Sequence, residues 1–388
     1  MPRSLVICFD GTNNQFGPEN TSVIRLVQVL DRHPDVQRLY YDGGVGTLPE
    51  PGWVTGAGKR LSEYMGLAFG AGIESKVSHA YRFLMEMWEP GDTVYVFGFS
   101  RGAYTARLLA GVLHALGLLP RGNDVLVPYV MRLYKSLRHG GEAGGQGVLS
   151  RYQSLCDAFR WTFARMSTLD DVDEKNDRRF TVHFLGLWDT VSSVGWVWDP
   201  MSYPYTATNP SIQVIRHAVS IDERRWFFRQ NLVRRANAEQ DLQERWFPGV
   251  HSDVGGGYPD TELWLGPFRW ILESAQAAGL LLDRHRLSVV LPQPSATPWD
   301  SAQHESLAGF WWIAEVFPKM RYRSQLDARR PAIGLGRRRS IPRGATIDRW
   351  ALLRLRDKPD YQPKNLAKGF VDRVRALLDV PDSIPYDE

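Results

Sequence analysis

The sequence predicts an α/β protein with a doubly wound, mostly parallel β-sheet. Three apolar runs typical of buried strands, at residues 5–9, 36–41 and 93–97, alternate with stretches of helical spacing. The connections between these runs are long enough to contain a helix, which parallel strands require. A polar, glycine-rich stretch follows each run, and in such sheets these loops meet at the carboxyl edge, where ligands bind.

Helical patterns occupy residues 22–30, 73–88 and 103–116 in this first part of the chain. Thr21 or Ser22 is suited to cap the first helix, because a hydroxyl oxygen there can accept a backbone N–H that has no partner within the helix. The proline and glycine that precede the third strand end the second helix. Each element therefore has a local signal for where it starts or stops.

An insertion over residues 117–179 interrupts this alternation. Two helices are predicted within it, at 127–137 and 149–166, joined by a glycine-rich loop. Insertions between the strands of such a sheet often shape the entrance to the site, so we predict a helical cap over the active face. The sheet resumes with a predicted strand at 180–188.

Beyond this strand the patterns are shorter. Residues 212–219 have an apolar pattern that we interpret as a helix, and the runs at 245–250 and 287–291 are predicted strands with an amphipathic helix between them. We therefore predict one α/β domain over residues 1–290. A Trp-, Arg- and Pro-rich extension over 291–388 is expected to pack on it.

Composition restricts the class of protein. The 388 residues suffice for one large α/β domain with insertions, and a hydrophobic content of 43% is that of a globular protein with a sizeable core. A net charge of +4 does not favour nucleic-acid binding, and two cysteines do not suggest a disulfide framework. Neither a secretory signal nor an apolar run of transmembrane length is recognisable. We expect synthesis in the cytoplasm, with any export through a signal-independent secretion system.

The strongest chemical signal is a G-x-S-x-G motif formed by Gly98, Ser100 and Gly102 between a strand and a helix. This is the context of a nucleophile elbow, in which the serine projects above the carboxyl end of the strand. The two glycines leave room for the strained turn. The backbone N–H of Arg101, at the helix N-terminus, can face a developing oxyanion. An ordinary glycine-rich turn is the alternative.

Two further residues complete a catalytic pattern with Ser100. Asp189 ends the strand at 180–188, and His251 follows the short strand at 245–250. The order Ser, Asp, His is that of the α/β-hydrolases. An imidazole can take the serine proton, and a carboxylate can orient the imidazole and stabilise its cation. A strand-end cap for Asp189 and a structural loop histidine for His251 are the alternatives.

Three supporting residues follow the first strand, and a fourth follows His251. A backbone N–H of Gly11 or Thr12 can supply the second oxyanion donor, with Asp10 positioning that loop, although a simple Asx turn explains these residues equally well. Asp253 is the reserve acid, and its expected role is to hydrogen-bond the amides of the His251 loop.

A different chemistry uses some of the same residues. Asp10, Asp189 and His251, with Asp253 nearby, could surround a metal ion at the carboxyl edge and assist hydrolysis. No H-x-H or H-E-x-x-H spacing supports such a site. The serine mechanism needs neither a metal nor another cofactor.

Six motifs occur together and in one order. The set resembles an uncharacterised α/β-hydrolase family that contains the first class of type VI secretion lipase effectors, and the resemblance covers about residues 4–260. It implies an α/β-hydrolase-like fold, the triad Ser100, Asp189 and His251, and a phospholipase A or related carboxylester hydrolase acting on lipids. It also allows for a secretion-system partner. The motifs are FDGTNN (9–14), YYDGGVGT (40–47), GFSRGAYTAR (98–107), GLWDTVSS (186–193), SIDERR (220–225) and FPGVHSDVGGGY (247–258).

The region 310–343 combines aromatic residues with a run of arginines. Such a segment can lie on an anionic membrane, with its aromatic rings at the interface and its arginines on phosphates. The alternative is a segment packed on the hydrolase domain, with its rings in the core and its arginines in solvent. The sequence thus predicts a serine hydrolase of carboxylic esters, most readily of lipid or phospholipid acyl esters. A non-catalytic, membrane-associated module on a hydrolase scaffold is the non-enzymatic alternative.

Overall fold

The structure is a computed structural model. It describes residues 2–11, 17, 19–44, 69–142, 145–165, 179–191, 195–196, 199–200, 203–309, 311–316, 319–323 and 328–387.

The strands within these ranges are short, as the sequence predicts. In chain order they are β1 (Ser4–Phe9), β2 (Gln37–Asp42), β3 (Thr93–Phe99), β4 (Val182–Trp188), β5 (Gly195–Trp196), β6 (Asp199–Pro200), β7 (Ile212–Ser220), β8 (Asp241–Phe247), β9 (Lys319–Arg323), β10 (Ala328–Ala332), β11 (Thr346–Asp348) and β12 (Ser383–Pro385).

The helices separate the strands of the first half and surround the sheet in the second. They are α1 (Ser22–Val29), α2 (Phe69–Met87), α3 (Arg101–Leu116), α4 (Val127–Glu142), α5 (Gly145–Phe163), α6 (His251–Gly255), α7 (Leu265–Ala277), α8 (Arg284–Val290), α9 (Trp311–Glu315), α10 (Arg349–Asp357) and α11 (Lys368–Arg375). None of the helices in the described ranges is both long and apolar enough to cross a bilayer.

Eight strands form the central sheet in the order β12-β11-β8-β7-β4-β3-β1-β2. Every neighbouring pair is parallel except β11 and β12, which are antiparallel at one edge. β5 with β6 and β9 with β10 make two separate hairpins. The predicted α/β class with a doubly wound, mostly parallel sheet is therefore confirmed.

Alternate side chains of β1 enter two different cores, as the period of a strand requires. Leu5 and Ile7 pack with α2 and α3 on one face of the sheet. Val6 and Cys8 pack with α1 and α7 on the other face. Helices thus cover both faces of the parallel part of the sheet, which leaves its carboxyl edge as the place where polar side chains can gather.

Two predicted elements were wrong. Residues 212–219 form strand β7 rather than a helix, because the run is buried between β4 and β8 and its β-branched residues suit a pleated surface. Residues 287–291 were predicted as a strand, but 284–290 form helix α8. The Asp283 side chain caps that helix by accepting the backbone N–H groups of His285 and Arg286. Short apolar runs do not by themselves separate these two structures.

The insertion contains two helices, as predicted, and α4 and α5 pack with α3 in the same core. Their role as a cap stays a prediction.

The chain beyond residue 290 adds β11 and β12 to the same sheet and packs with residues of β7 and β8 in a third core. In that core Trp246 of β8 packs with Ile347, Leu352 and Phe370. The proposed domain division at residue 290 also stays a prediction, but the hydrogen-bonded sheet continues across it.

Candidate active site

Ser100 lies at the turn between β3 and α3 with a backbone φ of 60° and ψ of −122°. A positive φ is strained for a residue with a side chain, and it persists only where neighbours impose it. A Cβ on Gly98 would lie 2.5 Å from the carbonyl oxygen of Gly102, and a Cβ on Gly102 would collide with the backbone of Phe9. The two glycines therefore permit the sharp turn that places the serine at the carboxyl edge of the sheet.

The imidazole of His251 joins the serine to an acid. Its Nε2 lies 2.7 Å from the Ser100 hydroxyl oxygen, and its Nδ1 lies 2.5 Å from Oδ2 of Asp189. All three residues are buried, at 6%, 3% and 0% exposure for Ser100, His251 and Asp189. The structure thus brings together the three residues that the sequence selects, although His251 begins the short helix α6 rather than a loop.

Two aromatic rings hold the imidazole in place. The ring of Phe99 stacks on His251 at a centroid distance of 4.7 Å, and the ring of Phe228 meets it edge-on at 4.9 Å. Burial lowers the pKa of His251, and the hydrogen bond to Asp189 opposes that shift only in part. The ring is therefore neutral near pH 7. We place its proton on Nδ1, because an ionised carboxylate only accepts hydrogen bonds, and Nε2 then accepts from the Ser100 hydroxyl.

Asp189 ends β4 with a φ of 41° and is fully buried. Its Oδ1 accepts the backbone N–H of Ser220 at 2.9 Å, and both of its oxygens accept from the guanidinium of Arg339 at 2.5 and 2.9 Å. Burial alone would raise the pKa of this carboxyl. The charge of Arg339 and the bond to His251 outweigh burial and hold the pKa well below its usual range.

Arg339 is the residue that sequence reasoning missed. It belongs to the arginine run for which a membrane surface or solvent was expected, and both expectations are wrong for this side chain, which is 4% exposed. It donates to Asp189, to the hydroxyl of Ser220 at 2.7 Å and to the carbonyl oxygen of Phe228 at 3.1 Å. No motif or spacing around it distinguishes it from the exposed arginines of the same run.

Glu223 fixes the backbone of the histidine. Its Oε2 accepts the N–H of His251 at 3.2 Å, and its Oε1 accepts the hydroxyl of Ser306 at 2.9 Å. Arg225 binds both oxygens at 3.0 and 2.9 Å. Burial would raise the pKa of Glu223, but the charges of Arg225 and Arg339 lower it to about 2. Its motif, SIDERR, carried the family resemblance, yet the sequence did not assign it a role.

Asp253 accepts the N–H of Val250 at 2.9 Å and the Nδ1 of His304 at 2.7 Å. Asp253 thus contacts the turn that carries His251, while Asp189 is the carboxylate bonded to the imidazole. Asp222 has a similar part on the other side of the turn, where it accepts the N–H of Gly249 at 2.8 Å.

The predicted oxyanion donors have different surroundings. Arg101 is the first residue of α3. The role of its backbone N–H as an oxyanion donor stays a prediction. The N–H of Gly11 donates to Oδ1 of Asp10 at 2.7 Å, while Thr21 donates to Oδ2 at 2.8 Å. The bond from Gly11 is to the residue directly before it, whereas an Asx turn uses the N–H two residues on. The role of Gly11 as an oxyanion donor stays a prediction. Thr12 lies outside the described residues.

The metal alternative finds little support in the donor set. Within the described ranges, no three or more His, Cys, Asp or Glu side chains are grouped as metal ligands. Asp189 is bonded through both oxygens to Arg339, and Asp10 to Gly11 and Thr21. A carboxylate held by a guanidinium is a poor ligand for a cation.

Comparison with known families identifies the family of the chain. The family of type VI secretion phospholipase effectors, described as the Tle1-like catalytic domain, matches residues 3–274. The chain belongs to this family. The resemblance found in the sequence motifs is thereby confirmed, and the protein is a member of a hydrolase family.

Individual relatives of this Tle1-like domain are distant or much longer. The uncharacterized protein YEL023C of Saccharomyces cerevisiae is 32% identical over 235 residues, which are 59% of this chain and 32% of the yeast protein. An uncharacterized protein from Pseudomonas aeruginosa has 20% identity and a TM-score of 0.41 over 73% of this chain and 46% of its own. The structure of the Tle1 effector bound to the VgrG spike has 18% identity and a TM-score of 0.35 over 66% and 51%. The chain thus spans about a third to a half of these relatives.

The Tle1-like match does not include every residue of the site. Ser100, Asp189 and His251 lie inside residues 3–274, whereas Arg339 lies beyond them. His304 and Ser306, which support the histidine turn, also lie beyond the match. The site is therefore assembled from the family domain and from the chain that follows it.

Proposed function

We propose that this protein is a serine hydrolase that cleaves acyl esters of lipids, with phospholipids as the principal substrates. One observation carries the proposal: the imidazole of His251 is hydrogen-bonded to the hydroxyl of Ser100 and to the carboxylate of Asp189, at a strained strand-to-helix turn. Membership of a phospholipase effector family supports the choice of substrate.

Hydrolysis would proceed in two halves. Ser100 Oγ attacks the ester carbonyl while its proton passes to Nε2 of His251, and the backbone N–H of Arg101 stabilises the oxyanion. The C–O bond to the alcohol breaks, and that alcohol leaves with the proton from His251. Water then attacks the acyl-enzyme, gives a proton to His251, and releases the fatty acid as Ser100 recovers its proton. Asp189 orients the imidazole and stabilises its cation throughout.

An active-site probe tests the nucleophile. A fluorophosphonate should label the wild type, and Ser100→Ala should abolish both labelling and hydrolysis of phospholipid and short-chain ester substrates. Ser288→Ala is a matched control, because Ser288 is exposed on α8 and distant in sequence from the triad. Labelling of the Ser100→Ala variant at the wild-type level, or ester cleavage that survives it, contradicts the proposal. A panel of phospholipids labelled in one acyl chain at a time then identifies the ester that is cleaved.

A surface beside the site supports the lipid substrate and the proposed contact with an anionic membrane. Trp312 and Val316 on one segment and Ile333 and Leu335 on the next are 48%, 55%, 42% and 56% exposed. The segments adjoin, because the N–H of Gly334 donates to the carbonyl oxygen of Glu315. We name these four residues the apolar patch. Exposed apolar clusters of this kind often mark interaction sites.

Two edge-on ring contacts connect the segment that carries Trp312 to His251. Trp311, next to Trp312, meets Phe228 edge-on at 5.3 Å, and Phe228 meets His251 at 4.9 Å. A membrane bound at the patch would therefore lie close to the site. Phe310 and Phe317, which the sequence included in this region, lie outside the described residues.

Vesicle binding tests the patch. The variant Trp312→Ser with Leu335→Ser should sediment less with anionic vesicles and cleave vesicle phospholipid about 10-fold more slowly, because about 1–2 kcal/mol of apolar burial is lost. Its hydrolysis of a soluble short-chain ester should be unchanged. Leu378→Ser removes another exposed leucine, at 99% exposure, and is the control. An equal loss on both substrates would show damage to the fold rather than to membrane binding.

The family description also supports a secretion-system partner. One similar solved structure is that of the Tle1 effector bound to the VgrG spike, and we propose a spike partner for this chain as well. Co-purification of the Ser100→Ala protein with the spike protein of its own secretion system tests it, and failure to co-purify at micromolar concentrations would count against it.

A further inference from the structure

We propose that Arg339 is a positioning residue for the catalytic acid, so that the active site is completed by chain beyond the family's catalytic domain. The inference rests on the proposed Ser100–His251–Asp189 triad. The arginine touches neither the ester nor the reacting atoms, and it acts through Asp189.

The contact has the geometry of a guanidinium fork. Nη1 donates to Oδ1 of Asp189 at 2.5 Å, and Nη2 donates to Oδ2 at 2.9 Å. Oδ2 is also the oxygen that accepts Nδ1 of His251 at 2.5 Å. A planar, two-point contact fixes the plane of the carboxylate as well as its position, which a single ammonium contact does not.

The carboxylate needs such a partner. Asp189 is fully buried, and an isolated buried carboxyl takes up a proton rather than keep its charge. A protonated Asp189 would be a weaker acceptor for Nδ1–H and would not stabilise an imidazolium. Arg339 therefore keeps the acid ionised and turned towards His251.

Arg339 is itself anchored by the fold. Its backbone oxygen accepts the side-chain amide of Asn365 at 3.1 Å, and the same amide group donates to the carbonyl oxygen of Ile221 at 2.9 Å. Three residues earlier, the N–H of Gly336 donates to the buried carboxylate of Glu315 at 2.9 Å. The position of the guanidinium thus depends on packing of the C-terminal part of the chain against the sheet.

The charge of Arg339 also acts on the base. Arg339 and His251 donate to the same oxygen of Asp189, so the guanidinium opposes the formation of the imidazolium. Removal of the guanidinium should raise the proton affinity of the coupled pair of Asp189 and His251, whichever of the two takes the proton, and move the acidic limb of the kcat/KM profile to higher pH by about one unit. The charged groups that face His251 come from several elements: Asp189 at the end of β4, Glu223 and Arg225 after β7, Arg339, and Asp253 on α6 itself.

The experiment compares three variants of the full chain on a soluble ester. Arg339→Ala should lower kcat/KM about 10- to 100-fold and shift the acidic limb upward, because the acid is misplaced and the pair of Asp189 and His251 gains affinity for a proton. Arg339→Lys keeps the charge but not the fork, so it should lose activity without that shift. Added guanidinium should restore part of the activity of the alanine variant. Arg349→Ala, which breaks an exposed ion pair with Asp382, is the matched control.

The outcomes separate this inference from the function on which it rests. If the wild type is not labelled at Ser100, the proposed function fails, whatever Arg339 does. If the wild type is labelled and a folded Arg339→Ala protein keeps the kcat/KM and pH profile of the control, the inference is wrong. Should Arg339→Ala fail to fold, Arg339→Lys decides: lower kcat/KM at an unchanged acidic limb supports the role, and wild-type kcat/KM overturns it.

Discussion

Ser100 and Asp189 end neighbouring strands of one sheet, yet the residues that position them lie at different distances along the chain. The serine is held in its strained turn by Gly98 and Gly102, two residues to either side. The aspartate is held by Arg339, which is 150 residues away. One side of the site is therefore local in sequence, and the other is assembled by tertiary structure.

The two sides of the site also differ in the interaction that holds them, which is steric for Ser100 and electrostatic for Asp189 and His251. The nucleophile side depends on the absence of side chains, since a single methyl group would strike the backbone of the first strand. The acid–base side depends on paired buried charges, of which Asp189 with Arg339 and Glu223 with Arg225 are the closest to the imidazole. Substitutions at the serine turn should lower stability. Substitutions at the charged pairs around His251 should lower catalysis and alter its pH dependence.

The largest effect is expected on the acid side. Asp189→Asn should lower kcat about 10⁴-fold, because an amide does not stabilise the imidazolium or select the tautomer with the proton on Nδ1. Measurement of kcat on a soluble ester checks this, with Asp382→Asn, 84% exposed, as the control. A drop of less than 10-fold in a folded protein would mean that another carboxylate supports His251.

Substitution at the serine turn should lower the stability of the protein. Gly102→Ala places a Cβ against the backbone of Phe9 and should lower the free energy of unfolding by about 1–3 kcal/mol or more. The rate of Ser100 labelling should fall with it. Denaturant unfolding provides the measurement. Gly369→Ala is the matched control, because a Cβ there has only the end of the Arg373 side chain nearby, at 3.8 Å. Equal stability of the two variants would contradict the steric account of the elbow.

The last prediction concerns a charge beside the histidine turn, whose effect on stability appears only as the pH changes. Burial raises the pKa of Asp222 to about 6, despite its bonds to Gly249 and Tyr361. A folded-state pKa above the unfolded one means that stability is fully present below about pH 4 and is lost as pH rises through 6. The loss from this group is on the order of 3 kcal/mol. Asp222→Asn should lack it.

Unfolding free energies measured from pH 4 to 7 test this prediction. Asp348, whose pKa burial also raises to about 6, should contribute a similar loss in both proteins, so the variant keeps part of the slope. A variant with the full wild-type slope would show that Asp222 is already ionised at pH 4. The stability of the acid–base side would then depend on pH less than its buried charges suggest.

Much of the site could be predicted from the sequence, and the fold class was predicted correctly. The elbow at Ser100 and the strand ends at Asp189 and near His251 follow from short patterns of glycine and β-branched residues. The errors fell on 212–219 and 287–291, where a short apolar run fits either structure until its neighbours are known. Packing between two strands decided the first, and the Asp283 cap decided the second.

The sequence by itself predicted the proposed nucleophile, the order of the proposed triad and the parallel sheet, because adjacent residues carry the steric requirements of a turn and the periodicity of a strand. Only the tertiary structure decided what surrounds the acid and the base. Arg339, Glu223 and His304 are ordinary charged or polar residues in sequence, and their roles arise because folding brings them within 3.2 Å of buried partners. An ion pair is a property of two positions in space, so the order of residues along the chain does not show which arginine is buried.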